Sequence, residues 1–160
     1  MPEVDSIPVG TFRYELVFTE NRLQSGRNAN TVRPIAGGAF AECSGLEATM
    51  EPRIIREGGR NYGAHQRTGP VTFSTVILRR GMTLNRDLWD WFQLTTLRGA
   101  YTHRMDVDIV HLSLDGRTPV RTWRLDRALP VKFKSADLDA RGAEIAIEEL
   151  HLVHEGLKLT

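Results

Sequence analysis

From position 12 the chain alternates. In "FRYELVF", Phe12, Tyr14, Leu16 and Phe18 share one parity, which predicts a half-buried strand beginning after Pro8 and Gly10. Residues 19–38 lose the pattern and are rich in Asn, Arg and Gly, the composition of a long loop. From Phe40 the alternation returns, with Leu46, Ala48, Met50 and Ile54 on one face and Glu47, Thr49, Glu51 and Arg53 on the other. Gly45 is placed as a bulge, and Pro52 argues against a fully paired central strand. After "REGGRNYGAHQRTGP" (56–70), "VTFSTVILRR" is rich in β-branched residues and predicts a second strand, so the two flank the glycine-rich stretch as a long β-hairpin.

The period then changes. "MTLNRDLWDWFQLTTL" predicts one helix, with Thr83 or Asn85 as cap, Asp87 and Asp90 near its positive end, and Gly99 as its stop. Its stripe is Leu84, Leu88, Trp91 and Thr95, widened by Trp89 and Phe92, so the helix covers a sheet or a barrel end. The remainder reads as β. "VDIVHLSL" and "VRTWRLD" form a hairpin through "DGRTP", and "VKFK" is a short strand before the polar loop "SADLDARG". A last strand runs from about Ala143 to Glu155; its parity shift between Ile147 and Leu150 predicts a bulge near Glu148–Glu149.

Composition narrows the function classes. With 41% hydrophobic and 26% charged residues, the 160-residue chain has globular values and enough length for one domain, 1–160. A formal net charge of +1, with bases and acids interspersed, gives no support for a nonspecific nucleic-acid binder. A single cysteine, Cys43, precludes an internal disulfide. The segment "MPEVDSIPVG" shows no basic n-region or apolar h-region, so no secretory signal is expected. No apolar run approaches the roughly 20 residues of a membrane span, and stable membrane insertion of the monomer is not expected.

The glycine-rich stretch invites a phosphate-loop reading. Gly58 and Gly63 have phosphate-loop spacing, but Ala64 and His65 follow where Lys and Ser/Thr are needed, and the next element is a strand rather than a helix. A sugar- or phosphate-binding β-domain therefore stands only as the alternative function. His151 and His154 fall on opposite faces of a regular strand. Asp137 and Asp139 sit where turns favour Asp, and Cys43 lies in no nucleophile motif. "WDWF" at helical spacing reads as core before it reads as a base-stacking platform. No catalytic residue, cofactor or metal is expected.

"CSGLEATMEPRIIREGG", "VILRRGMT", "LWDWF", "VDIVHLSLDGRTPVRTWRL" and "ALPVKFKSADLDARGAEIAIEELHLVHEGL" occur in this order over roughly residues 10–158. In their order and spacing they resemble the contractile-tail tube protein family, especially the inner-tube paralogs of extracellular contractile injection systems. The resemblance implies a mainly β fold, a tail-tube β-sandwich or barrel with one flanking helix and long assembly loops. It also implies a structural subunit, with homo-hexameric rings stacked into a tube around a cargo channel. A sheath protein, baseplate or tube-initiator and terminator proteins, and effector or DNA cargo held without sequence-specific contacts are the implied partners. A subunit made in the cytoplasm would end in the tail or injection particle.

On this reading Arg56, Glu57, Gly58, Gly59, Arg60, Asn61, Tyr62, His65 and Arg67 form an assembly loop, and Glu47, Thr49, Glu51 and Arg53 are candidates to face the lumen. Many main-tube members carry a "KLPG"-like segment after "REGG". This chain has "RNYGAHQRTGP" instead, which leaves bulk tube and initiator ring both open.

Overall fold

The computed structural model describes residues 10–21, 40–97 and 104–160. Most of the predicted 19–38 loop, together with Gly99 and His103, lies outside these residues. In chain order the elements are β1 (Tyr14–Asn21), β2 (Phe40–Ser44), β3 (Ala48–Met50), β4 (Arg53–Ile55), β5 (His65–Arg67) and β6 (Val71–Phe73). There follow β7 (Val76–Gly81), α1 (Asp87–Leu97), β8 (Arg104–Leu112), β9 (Pro119–Lys134), β10 (Ile147–Val153) and β11 (Gly156–Leu159).

The main sheet has the order β1-β8-β9-β10-β7-β2, with β11 also on β9, and every pairing is antiparallel. β9 is shared. Its first half pairs with β8 and β11, its second with β10, so the sheet folds over on itself as a sandwich. The fold occurs at Arg127, whose φ of 51° is left-handed and whose amide donates to Asp106 Oδ1 at 2.9 Å. The side chains of Arg104 and Arg127 both reach Glu155 at 2.8 Å, tying β8, the bend and the β10–β11 link together. "VKFK" is thus no separate strand: the chain bends at a bulge and keeps pairing.

Inward positions alternate along each strand. Phe18, Met105, Val107, Ile109 and Leu125 come from one half, and Val76, Leu78, Leu150 and Leu152 from the other. The Tyr14 hydroxyl donates to the Phe40 carbonyl at 3.1 Å, bringing the outermost strands β1 and β2 together. Helix α1 covers the core with Leu88 and Trp91; the Trp91 ring meets Phe18 edge-on at 6.0 Å.

Several sequence expectations shift. Phe12 precedes β1 and is exposed, because the alternating face continues instead to the buried Glu20. Leu84 is fully exposed, since the helix begins only at Asp87. Its start is still capped as expected, with the Asp87 amide donating to Asn85 Oδ1 at 3.1 Å and the Asn85 amide to Thr83 Oγ1 at 3.2 Å.

No bulge occurs at Glu148–Glu149. β10 pairs with β7 in unbroken register from Ile147 to Leu152, and the irregularity against β9 falls between His151 and Leu152. The misreading came from taking Ile145 and Ile147 as inward. Both are exposed, and the inward position is filled by charged Glu148, which is buried against Arg80.

Arg80 deserves its buried place through partners: Nε donates to Glu148, Nη2 to Asp87, and the guanidinium lies over the Phe40 ring at 5.7 Å. Asp87 thereby ties the helix N-terminus to β7 and β10, a role beyond the dipole.

Candidate assembly surfaces

Between β2 and β7 the chain leaves the sandwich and returns as the predicted hairpin, with β3 on β6 and β4 on β5. The exit is set by Gly45. Its φ is +89°, and a Cβ there would lie 2.1 Å from the Thr75 carbonyl oxygen, so only glycine lets the strands cross so closely. The second strand also breaks at Ser74–Thr75, which divides "VTFSTVILRR" into β6 and β7. A second break falls at Glu51–Pro52, where the proline lacks a ladder donor.

Every residue of β3, β4 and β5 is exposed, including Met50, Ile54 and Ile55, and Val71 of β6 is exposed as well. The arm is therefore a two-stranded ribbon with water on both faces. Such ribbons are marginal alone, and apolar side chains on one point to a partner. Glu47, Thr49, Glu51 and Arg53 are exposed near its base, with Thr49 Oγ1 donating to Glu47 Oε1 at 3.5 Å.

The stretch predicted as an assembly loop divides between a strand and a tip. His65 and Arg67 belong to β5, opposite Ile55 and Arg53, so the connecting tip is 56–64. Gly59 (φ +84°) and Gly63 (φ +71°) supply its left-handed turns. His65 at the start of β5 holds the tip: its Nε2 lies 3.1 Å from Glu57 Oε2 and its Nδ1 3.0 Å from Arg60 Nη1, while Tyr62 is almost wholly exposed. The strand after the tip leaves no helix N-terminus for a phosphate.

At the far end of β7 and β10 lies a surface that sequence reasoning missed. The loop 135–146 stands off the outer face of the sheet and encloses a groove of about 970 Å³. Its floor is an ionic ladder: Arg79 donates to Glu149 at 2.8 Å and to Glu42 at 2.9 Å, and His151 pairs with Glu149 from β10. The bond from His151, followed by that from Arg79, holds the Glu149 carboxyl down at about 2. Its wall carries exposed Leu138 and Ile145, Ile147 at the start of β10, and carboxylates Asp137, Asp139 and Glu144. Isolated apolar residues inside "SADLDARGAEI" were the available signal.

The other singled-out groups are structural. His154 packs on Phe73 with ring centroids 5.0 Å apart and bonds the Gly156 carbonyl, away from the His151–Glu149 pair; burial lowers its pKa. Cys43 is half-buried on β2, and burial followed by the charge of Glu42 pushes its thiol up to about 11, far from a nucleophile's range. Trp91 of "WDWF" is core, while Trp89 lies at its edge against Phe133. No cluster of three or more His, Cys, Asp or Glu suited to a metal occurs among the described residues, and no helix among them is long and apolar enough to cross a membrane.

A family model for the T4-like virus tail tube protein gp19 matches residues 11–158. The chain belongs to that tail tube family. It is accordingly a structural protein of a tail or injection particle, not an enzyme.

Solved tube-related structures have the same fold. A chain in the six-fold symmetrised cryo-EM structure of the anti-feeding prophage (AFP) baseplate is 28% identical, with 97% of each chain covered and a TM-score of 0.75. A chain in the sheath/tube terminator structure of the extracellular contractile injection system PVC, in the extended state, has 19% identity, coverage of 97% and 98%, and a TM-score of 0.76. The corresponding PVC sheath-tube complex contributes a chain at 19% identity, coverage of 97% and 93%, and a TM-score of 0.74. No curated protein matches the sequence.

Proposed function

We propose that this chain, as a single tail-tube domain over 1–160, forms six-fold rings of the inner tube of a contractile tail or injection system, at the baseplate end. The observation that carries the ring reading is the arm: a two-stranded ribbon with Met50, Ile54, Ile55 and Val71 in water needs a neighbour to complete it. Closing strands from several subunits into one barrel removes their free edges. The polar positions Glu47, Thr49, Glu51 and Arg53 then face the channel, and the tip from Arg56 to Ala64, with His65 and Arg67, meets the neighbour. Sheath, baseplate and terminator proteins are its partners in the particle, and cargo passes through the lumen without sequence-specific contact. The subunit is made in the cytoplasm and acts in the particle.

The baseplate-proximal position is favoured by 28% identity to a chain of the AFP baseplate, against 19% to the PVC sheath-tube and terminator chains. Replacing residues 56–64 by Asn-Gly, a two-residue hairpin turn, is expected to leave the monomer's thermal transition intact while abolishing rings in electron microscopy. Normal rings from that variant would remove the tip from the interface. A wild-type protein that stays monomeric at high concentration and is missing from the particle's inner tube would sink the ring reading. Gold-labelled subunits are expected at one end of the tube; labelling along its whole length would assign the bulk tube instead.

A further inference from the structure

The arm and the groove sit at opposite ends of the same strands. β7 enters from the arm at Val76 and reaches the groove at Arg79–Gly81, where Gly81 pairs with Ile147 of the groove wall. β10 runs the other way, from Ile147 at the groove to the link near His154, which packs on Phe73 at the arm's base. One molecule therefore presents a projecting element at one end and a recess at the other.

Their chemistry is complementary. The distal arm carries Arg53, Arg56, Arg60 and Arg67 against one carboxylate, Glu57, which His65 engages at 3.1 Å; Ile54, Ile55 and Tyr62 are exposed beside them. The groove wall offers Asp137 and Glu144, with Leu138, Ile145 and Ile147 exposed between them. Lys134 is the lysine at its rim, and Asp139 is taken by Arg141 at 3.4 Å. Basic and apolar thus face acidic and apolar.

From this pairing we infer that the distal arm of one copy seats in the groove of a second copy, head to tail. The contact is heterologous: each molecule uses a different surface at each end, so it closes into a ring when the rotation permits. Arginine–carboxylate pairs set its register, and burial of Ile54, Ile55, Leu138 and Ile145 supplies the attraction. The inference rests on the ring reading and adds the surface that receives the arm.

Two charge-reversed proteins test it. One carries Arg56→Glu and Arg67→Glu; the other carries Asp137→Arg and Glu144→Arg. All four positions are exposed, so both variants are expected to fold, checked by circular dichroism. Each alone is expected to raise the concentration for assembly at least about tenfold, because like charges then meet at every contact. Mixed in equal amounts, they are expected to co-assemble in alternation, since each reversed arm finds a reversed groove. Sedimentation velocity and electron microscopy read both effects. Assembly of either variant alone at the wild-type concentration, or a mixture as inert as its parts, overturns the arm–groove contact while leaving wild-type rings, and so the ring reading, intact. Wild-type protein that never assembles would overturn both.

Discussion

The sandwich and the arm are built from the same chemistry of alternating strands, yet they are held in opposite ways. In the sandwich β7 and β10 each bury one parity completely: Val76 and Leu78 on β7 and Leu150 and Leu152 on β10 are 0% exposed. In the arm, a continuation of β2 and β7, neither parity is buried, and Ile54 is 63% exposed. Propensity alone cannot account for the difference, since β4 is as rich in β-branched residues as β7. What separates them is the presence of a second layer within the same chain. The sandwich has its second layer within the chain; the arm has none.

The sharpest way to break this comparison is inside the sandwich. Arg80→Met leaves Glu148 and Asp87 without their shared cation and is expected to cost about 3–5 kcal/mol of unfolding free energy, read by urea denaturation. Replacing Arg80 and Glu148 together by Met is expected to recover much of that, because the charge left behind, not the lost pair, dominates the cost. An unchanged urea midpoint for the single variant would show that the network does not hold the helix to the sheet.

At the junction, Gly45→Ala forces a side chain into left-handed backbone beside the Thr75 carbonyl. It is expected to cost about 1–3 kcal/mol and to redirect the arm, so assembly suffers along with stability. Equal urea midpoints for variant and wild type would remove Gly45 as the device that sets the exit.

Acid probes the groove floor. Because the folded-state pKa of Glu149 is depressed, its contribution is present above the ordinary glutamate range and is lost as pH falls toward about 2. Glu149→Gln is expected to flatten the loss of stability below pH 4.5 without changing the neutral-pH fold, measured by denaturation at a series of pH values. The smallest effect belongs to the arm: Ile54→Thr is expected to change monomer stability by no more than about 0.5 kcal/mol. A large loss would mean that the arm packs on its own sandwich.

Much of this was legible in the chain. Alternation found β1, β2 and β10, the β-branched run before Gly81 found β7, the segments either side of "DGRTP" found β8 and the start of β9, the change of period found the helix, and Asp115–Gly116 marked the β8–β9 turn. The Asp115 carboxylate takes bonds from the Arg117 and Thr118 amides there, at 2.9 and 3.0 Å. The failures share a cause. Glu148, Glu20 and Arg80 are charged residues at inward positions, and a polarity pattern places such residues outside; only their partners make burial tolerable. Ile145 and Leu138 are the reverse case, apolar residues left in water.

The sequence by itself determined the strands, the helix, the glycines that turn the tip and the ordered motifs of the tail tube family, because these depend on local backbone preference and short-range spacing. Tertiary structure decided where β9 bends, which charges are buried, and that the arm and the groove lie at opposite ends of the molecule. Those outcomes depend on which residues meet across tens of positions: Arg80 with Glu148, Gly45 with Thr75, Gly81 with Ile147. No local pattern encodes such meetings, since each is the joint result of register, twist and the competition for a single core.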